Sequence, residues 1–151
     1  MSKTVDYHHF LISPWSYLAI DRFNSLKERA GIEVNYLPID VTSTFGNMGG
    51  LPPAKRHPSR QRLRMDELKR WSSYLKVPVN LTPAFFPADQ SMAAAMVYAA
   101  GGTDAGILSD AVFTAVWRDE KNVADTDTLV SIANDCGLDG SALLAAADEG
   151  V

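Results

Sequence analysis

The opening stretch up to Pro38 confines this chain to very few folds. Val5-Asp6-Tyr7-His8-His9-Phe10-Leu11-Ile12 is rich in β-branched and aromatic side chains and stops at Ser13-Pro14, which predicts a buried strand feeding directly into a helix. Serine at an N-cap accepts a hydrogen bond from an orphan backbone N–H, and proline at the first helical position lacks a donor that would have had no partner there. The helix is expected from about Pro14 to Arg29, with Tyr17, Leu18, Ile20 and Leu26 available for packing and Gly31 closing it. Ile32 to Leu37 then alternates in character and ends at Pro38, as a second strand would. Strand, helix and strand of these lengths make a βαβ unit, whose two strands are parallel.

Beyond it the pattern changes. From Asp40 to Ser59 the chain turns to Thr, Ser, Gly and Pro, which predicts one long loop of the kind that usually carries function. A helix resumes near Arg60, where Leu68, Trp71 and Leu75 share a face that continues backwards to Arg64 and Arg60. If Leu68 and Trp71 point inward, the two arginines lie along the flank or in a cleft at the helix start. Helical stripes follow over Asp89 to Ala100, Thr103 to Arg118 (with Ile107, Leu108, Val112 and Val116) and Thr126 to Cys136, and Asp139 leads a short last helix. The fold class is therefore α/β: a βαβ unit with its loop over residues 1–58, then an all-helical region over 59–151.

Composition narrows the function. No apolar run approaches the roughly 18–20 residues that span a bilayer, and no signal-peptide core follows Met1, so the cytoplasm is the expected address and no membrane partner is expected. The single cysteine, Cys136, makes neither an intramolecular disulfide nor a CxxC redox pair. Residues 1–76 carry twelve Lys and Arg against seven Asp and Glu, whereas residues 77–151 carry two against eleven. The basic excess gathers in Lys55, Arg56, Arg60, Arg62 and Arg64; with the other half acidic and a pI near 5.2, a small anion suits it better than a nucleic acid. His8 and His9 are consecutive on a strand and point to opposite faces, so no shared metal site is expected.

Chemistry concentrates at Ser13-Pro14-Trp15-Ser16, on a strand-to-helix junction where the helix dipole and free N–H groups favour negative charge. Thioredoxin-like proteins carry Cys-Pro-x-Cys at such a junction, and here serines occupy both cysteine positions. A hydroxyl cannot form a disulfide, but it can donate a hydrogen bond to the sulfur of a bound thiol and lower its pKa.

The run from Val5 through Ser13-Pro14-Trp15-Ser16-Tyr17-Leu18-Ala19 resembles the opening of the 2-hydroxychromene-2-carboxylate isomerases and the related kappa-class glutathione transferases. Phe45-Gly46-Asn47, Leu68 to Trp71, Pro83 to Pro87, Ala115-Val116-Trp117 and Leu129 to Asp139 continue the likeness in order. The resemblance implies a thioredoxin-like fold with a large helical insertion, glutathione as cofactor and a homodimer. It places the sulfur-activating serine at Ser13, with Trp15 walling the sulfur site, and site positions at Gly46 and Asn47. A site lysine of the family falls on Arg60 or Lys55, and a substrate-contacting segment falls on Phe85 and Phe86. Two departures stand out. Phe10 replaces an aspartate that family members often carry three residues before the serine, and the family's last strands, with their Val-Pro segment, are expected to be absent from this chain.

The activity so implied is a glutathione-dependent isomerisation of a small aromatic 2-oxo acid in aromatic catabolism, with arginine suited to the carboxylate. A kappa-like glutathione transferase is the alternative enzyme; a thioredoxin-like binding protein without catalysis would keep the fold and leave Ser13 a simple helix cap.

Overall fold

The computed structural model describes residues 3–149. Strands β1 (Lys3–His9) and β2 (Ile32–Pro38) pair in parallel, from Lys3 opposite Ile32 to His9 opposite Pro38, and helix α1 (Pro14–Ala30) connects them. These are the only strands among the described residues. Both ends of α1 follow from the sequence. Ser13 caps the start and Pro14 occupies the first turn, while Gly31 closes the helix in the left-handed conformation at φ 59°, its amide reaching the Glu28 and Lys27 carbonyls.

The long loop expected from Asp40 to Ser59 is instead broken by helix α2 (Val41–Met48) and a 3-10 turn at Pro53–Lys55. Caps explain the difference. The Asp40 carboxylate accepts from the Thr42 amide (2.8 Å) and the Ser43 hydroxyl (2.6 Å), and Gly49 ends the helix at φ 71°. Together these offset the poor helix propensity of Thr, Ser and Gly between them.

Helix α3 (Pro58–Leu75) starts at Pro58, with the His57 ring accepting from the Ser59 amide. Leu68 is buried as expected, but Trp71 is 40% exposed. α3 meets α1 along one flank, so its buried stripe is narrower than the sequence pattern suggests. Leu26 and Ile107, also expected inside, are exposed.

Helix α4 (Ser91–Ala100) lies on β2, and α5 (Gly102–Trp117) lies on both β2 and α1; α6 (Thr126–Asp135) and α7 (Gly140–Glu149) complete the bundle. α5 is the hub: Leu108, Val112, Phe113, Val116 and Trp117 are all buried, each contributing about 1.5–3 kcal/mol if fully transferred from water. Gly106 permits the close approach to the sheet, because a Cβ there would fall 2.6 Å from Cζ of Tyr36. The core thus runs without interruption from the strands into the helices. One buried polar pair crosses the same seam. The His9 Nδ1–H donates to the Tyr7 carbonyl (3.0 Å), so the neutral ring accepts the Ser109 hydroxyl at Nε2 (3.1 Å).

Candidate active site

Ser13 sits where β1 hands over to α1, and its backbone is fully engaged. Its N–H donates to the Phe10 carbonyl (2.8 Å) and its carbonyl accepts from Tyr17 (3.2 Å). The side chain is lightly held, accepting from the Ser16 amide at 3.4 Å. Among the described residues its hydroxyl proton has no acceptor, so this donor remains available at the positive end of the α1 dipole. Ser16, in the other cysteine position, is turned toward Tyr7; burial pushes the Tyr7 phenol up, and the Ser16 hydrogen bond partly opposes it.

Two polar side chains lock this junction to the rest of the molecule. Buried Gln90 accepts from the Ile12 amide (3.3 Å) and donates to the Ile39 carbonyl (2.9 Å), tying the residue before Ser13 to the residue before the α2 cap. The Tyr17 hydroxyl donates to the Pro78 carbonyl at 2.6 Å, and burial raises its phenol despite the opposing charge of Arg118. The 77–90 segment is thereby drawn across α1. Sequence reasoning missed Gln90; a lone glutamine before an apolar helix carries no signal of such a bridge.

The same segment presents Phe86, tilted 51° against Trp117 with ring centroids 4.9 Å apart. The Arg64 guanidinium lies 5.8 Å from the Phe86 centroid, and that of Arg56 lies 5.9 Å from the Phe45 centroid. Burial, and then the neighbouring Arg56, pulls Arg64 below the usual arginine range. Of the two arginines on the α3 stripe, Arg64 is thus the half-buried one, whereas Arg60 is exposed. The buried indole N–H of Trp117 has no acceptor among the described residues.

The residues singled out from the sequence occupy several places around this junction. Trp15, 43% exposed, lines a groove of about 690 Å³ between α1 and α3 together with Leu18, Leu26, Trp71 and Leu75. Gly46 and Asn47 are exposed in the last turn of α2, Lys55 ends the 3-10 turn, and Arg60 is exposed in the first turn of α3. Phe85 is 48% exposed, while Phe86 is half-buried. Among the described residues no hydrogen bond or ion pair joins Ser13 to Asn47, Lys55 or Arg60. Phe10, at the aspartate position, packs against the core. His8 is exposed and His9 buried, and no group of three or more His, Cys, Asp or Glu among the described residues is placed to hold a metal ion. No helix among them is long and apolar enough to cross a membrane.

A sequence profile described as a DSBA-like thioredoxin domain matches residues 4–151. A 2-hydroxychromene-2-carboxylate isomerase from Sphingobium xenophagum is 32% identical over 144 residues, which cover 95% of this chain and 73% of that protein. The chain belongs to the DSBA-like thioredoxin family, with the 2-hydroxychromene-2-carboxylate isomerases. A second member of this circle is glutathione S-transferase kappa 1 of Caenorhabditis elegans, 30% identical over 82 residues covering 54% of this chain and 36% of the transferase. Structure agrees with sequence: a solved 2-hydroxychromene-2-carboxylate isomerase superposes with a TM-score of 0.80 at 23% identity, over 96% of this chain and 71% of that one. The DSBA-like fold accounts for the parallel βαβ unit followed by helices, and membership of this group makes the protein one of a family of enzymes.

Proposed function

We propose that this chain is a glutathione-dependent isomerase of a small aromatic 2-oxo acid, of the 2-hydroxychromene-2-carboxylate type. The observation that carries the reading is the Ser13 hydroxyl at the start of α1, which accepts from the Ser16 amide and has no acceptor for its own proton among the described residues. The chain's one thiol, Cys136, follows α6 and is pushed up by burial and by Asp135; in this reading the thiol at the junction comes from a ligand. Glutathione fits what the junction offers: a hydroxyl donor, a helix N-terminus and no cysteine to compete.

Bound at this junction, glutathione would supply a thiolate nucleophile for the conjugated double bond of the substrate, and Ser13 with the start of α1 would hold its sulfur. Ser13 donates its hydroxyl proton in a hydrogen bond that favours the charged sulfur, and the α1 dipole acts in the same direction. Gln90 holds the Ile12 amide just before that donor, and Tyr17, whose amide donates to the Ser13 carbonyl, is anchored by its hydroxyl to the Pro78 carbonyl. Trp15 walls the sulfur site, Phe85 and Phe86 contact the aromatic ring, and Gly46, Asn47, Arg60 or Lys55 bind the polar end of the substrate. In the same reading the protein works in the cytoplasm as a homodimer, in aromatic catabolism, with neither nucleic acid nor membrane as partner.

The test is stoichiometric. The protein is mixed with an aromatic 2-oxo acid bearing a conjugated double bond and with a tenth as much glutathione, and isomerisation is followed by ultraviolet absorbance. Full conversion to a product of unchanged mass, with all thiol recovered, is expected. Consumption of glutathione into a stable conjugate would make the protein a kappa-like transferase, and no turnover with no glutathione binding would leave a thioredoxin-like binding protein.

A further inference from the structure

We infer that Arg64 and Arg56, backed by the rings of Phe86 and Phe45, bind the carboxylate of the aromatic acid. Arg64 is half-buried over Phe86, yet among the described residues its guanidinium meets no hydrogen-bond acceptor and no carboxylate at ion-pair distance. An arginine stays charged at every physiological pH, and a half-buried guanidinium with no protein acceptor gains from an anion that meets its donors. Arg56 adds a second positive charge near enough to act on Arg64, which makes the attraction for an anion stronger.

Arg56 is also held in advance of any ligand. Its Nε donates to the Leu51 carbonyl (2.7 Å), and the Gln61 amide donates to the Arg56 and Ala54 carbonyls (2.8 and 3.1 Å). Among the described residues the terminal nitrogens of Arg56 meet no acceptor. Each guanidinium therefore lies over an aromatic ring with donors to spare, an arrangement complementary to a planar ligand that is aromatic at one end and carboxylate at the other. Gln90, four residues beyond Phe86 in the chain, is hydrogen-bonded to the Ile12 amide beside Ser13, so the segment that carries Phe86 is anchored at the α1 junction. The inference rests on the proposed substrate class. It differs from it in assigning the carboxylate to Arg64, a residue more buried than Arg60 or Lys55.

Equilibrium binding by titration calorimetry tests it with three probes: phenylpyruvate, its methyl ester and glutathione. For Arg64→Gln, phenylpyruvate affinity should fall at least tenfold and for Arg56→Gln severalfold. Arg64→Lys, which keeps the charge without the planar fork, should lie between the parent and Arg64→Gln. Ester and glutathione affinities should stay within twofold throughout, and unchanged circular dichroism would confirm that the variants fold. Equal loss for acid and ester would assign Arg64 to packing alone and overturn the inference. Loss confined to glutathione would place one of its carboxylates there instead, and failure of the parent to bind phenylpyruvate would also overturn it. Acid binding that depends on Arg64, in a protein with no glutathione-dependent turnover, would sustain the subsite and defeat the isomerase reading; turnover indifferent to Arg64 would do the reverse.

Discussion

A methyl group added to two helical glycines should change stability in opposite directions. Gly46 lies in α2 with nothing within 4 Å of the position its Cβ would take. Gly46→Ala therefore gains only the lower backbone entropy of alanine in the unfolded chain, about 0.5–1 kcal/mol. Gly106 lies in α5, where the new Cβ would sit 2.6, 2.7 and 2.8 Å from Cζ, Cε2 and the hydroxyl of Tyr36. The Tyr36 ring cannot swing away freely, because Tyr7 and His9 meet it edge-on with centroids 6.0 Å distant, and its hydroxyl takes a hydrogen bond from Lys27 (3.2 Å). Overpacking of this kind costs about 1–3 kcal/mol, from which the same helical gain is subtracted, so a net loss of up to about 2.5 kcal/mol is expected. Urea unfolding followed by circular dichroism reads both changes as shifts in midpoint at constant slope. In a Tyr36→Leu background the penalty at Gly106 should disappear. Stabilisation by Gly106→Ala would refute the close approach of α5 to the sheet; destabilisation by Gly46→Ala would refute the helix at residues 41–48.

Two further perturbations probe the scaffold around Ser13. Burial lowers the His9 pKa below its ordinary value, so the unfolded chain takes up this proton first; stability contributed by neutral His9 should be complete above about pH 6.5 and decline as pH falls from there toward the folded-state pKa. Urea midpoints measured across that range should show the decline in the parent and a shallower one in His9→Phe. Gln90→Leu removes the partners of the buried Ile12 amide and the half-buried Ile39 carbonyl at once; the orphaned amide alone costs about 1–3 kcal/mol, and a loss of at least that size is expected in thermal or urea unfolding.

The sequence made the first unit legible because its signals are local. Ser13-Pro14 and Gly31 mark helix ends by backbone chemistry alone, and the spacing of the two strands leaves parallel pairing as the consequence. α2 was illegible for the converse reason: Thr42, Ser43, Thr44 and Gly46 are poor helix formers, and the helix depends on Asp40 and Gly49 acting as a pair. Trp71 follows the stripe of Leu68 yet stays partly outside, since the width of a buried face is set by what lies against it. Gln90 escaped notice, and Arg64 was legible only as a member of the Leu68 stripe, because their partners are set by long-range folding, which puts Phe86 beside one and the ends of β1 and β2 on either side of the other. Ser13 was legible as the cap of α1 because Ser-Pro marks a helix start in one dimension.

The most direct test of the account is the pKa of the glutathione thiol bound to the parent protein and to Ser13→Asp and Ser13→Ala, read by thiolate absorbance. Aspartate caps a helix well and suits its dipole, so Ser13→Asp keeps the fold while setting a negative charge against the sulfur; Ser13→Ala loses the cap, costing about 0.5–2 kcal/mol. The account predicts a bound-thiol pKa in the parent below that of free glutathione, a higher value in both variants, and loss of turnover in Ser13→Asp with folding retained. Equal thiol pKa values in all three proteins, with turnover undiminished, would show that Ser13 only caps α1 and would contradict the account.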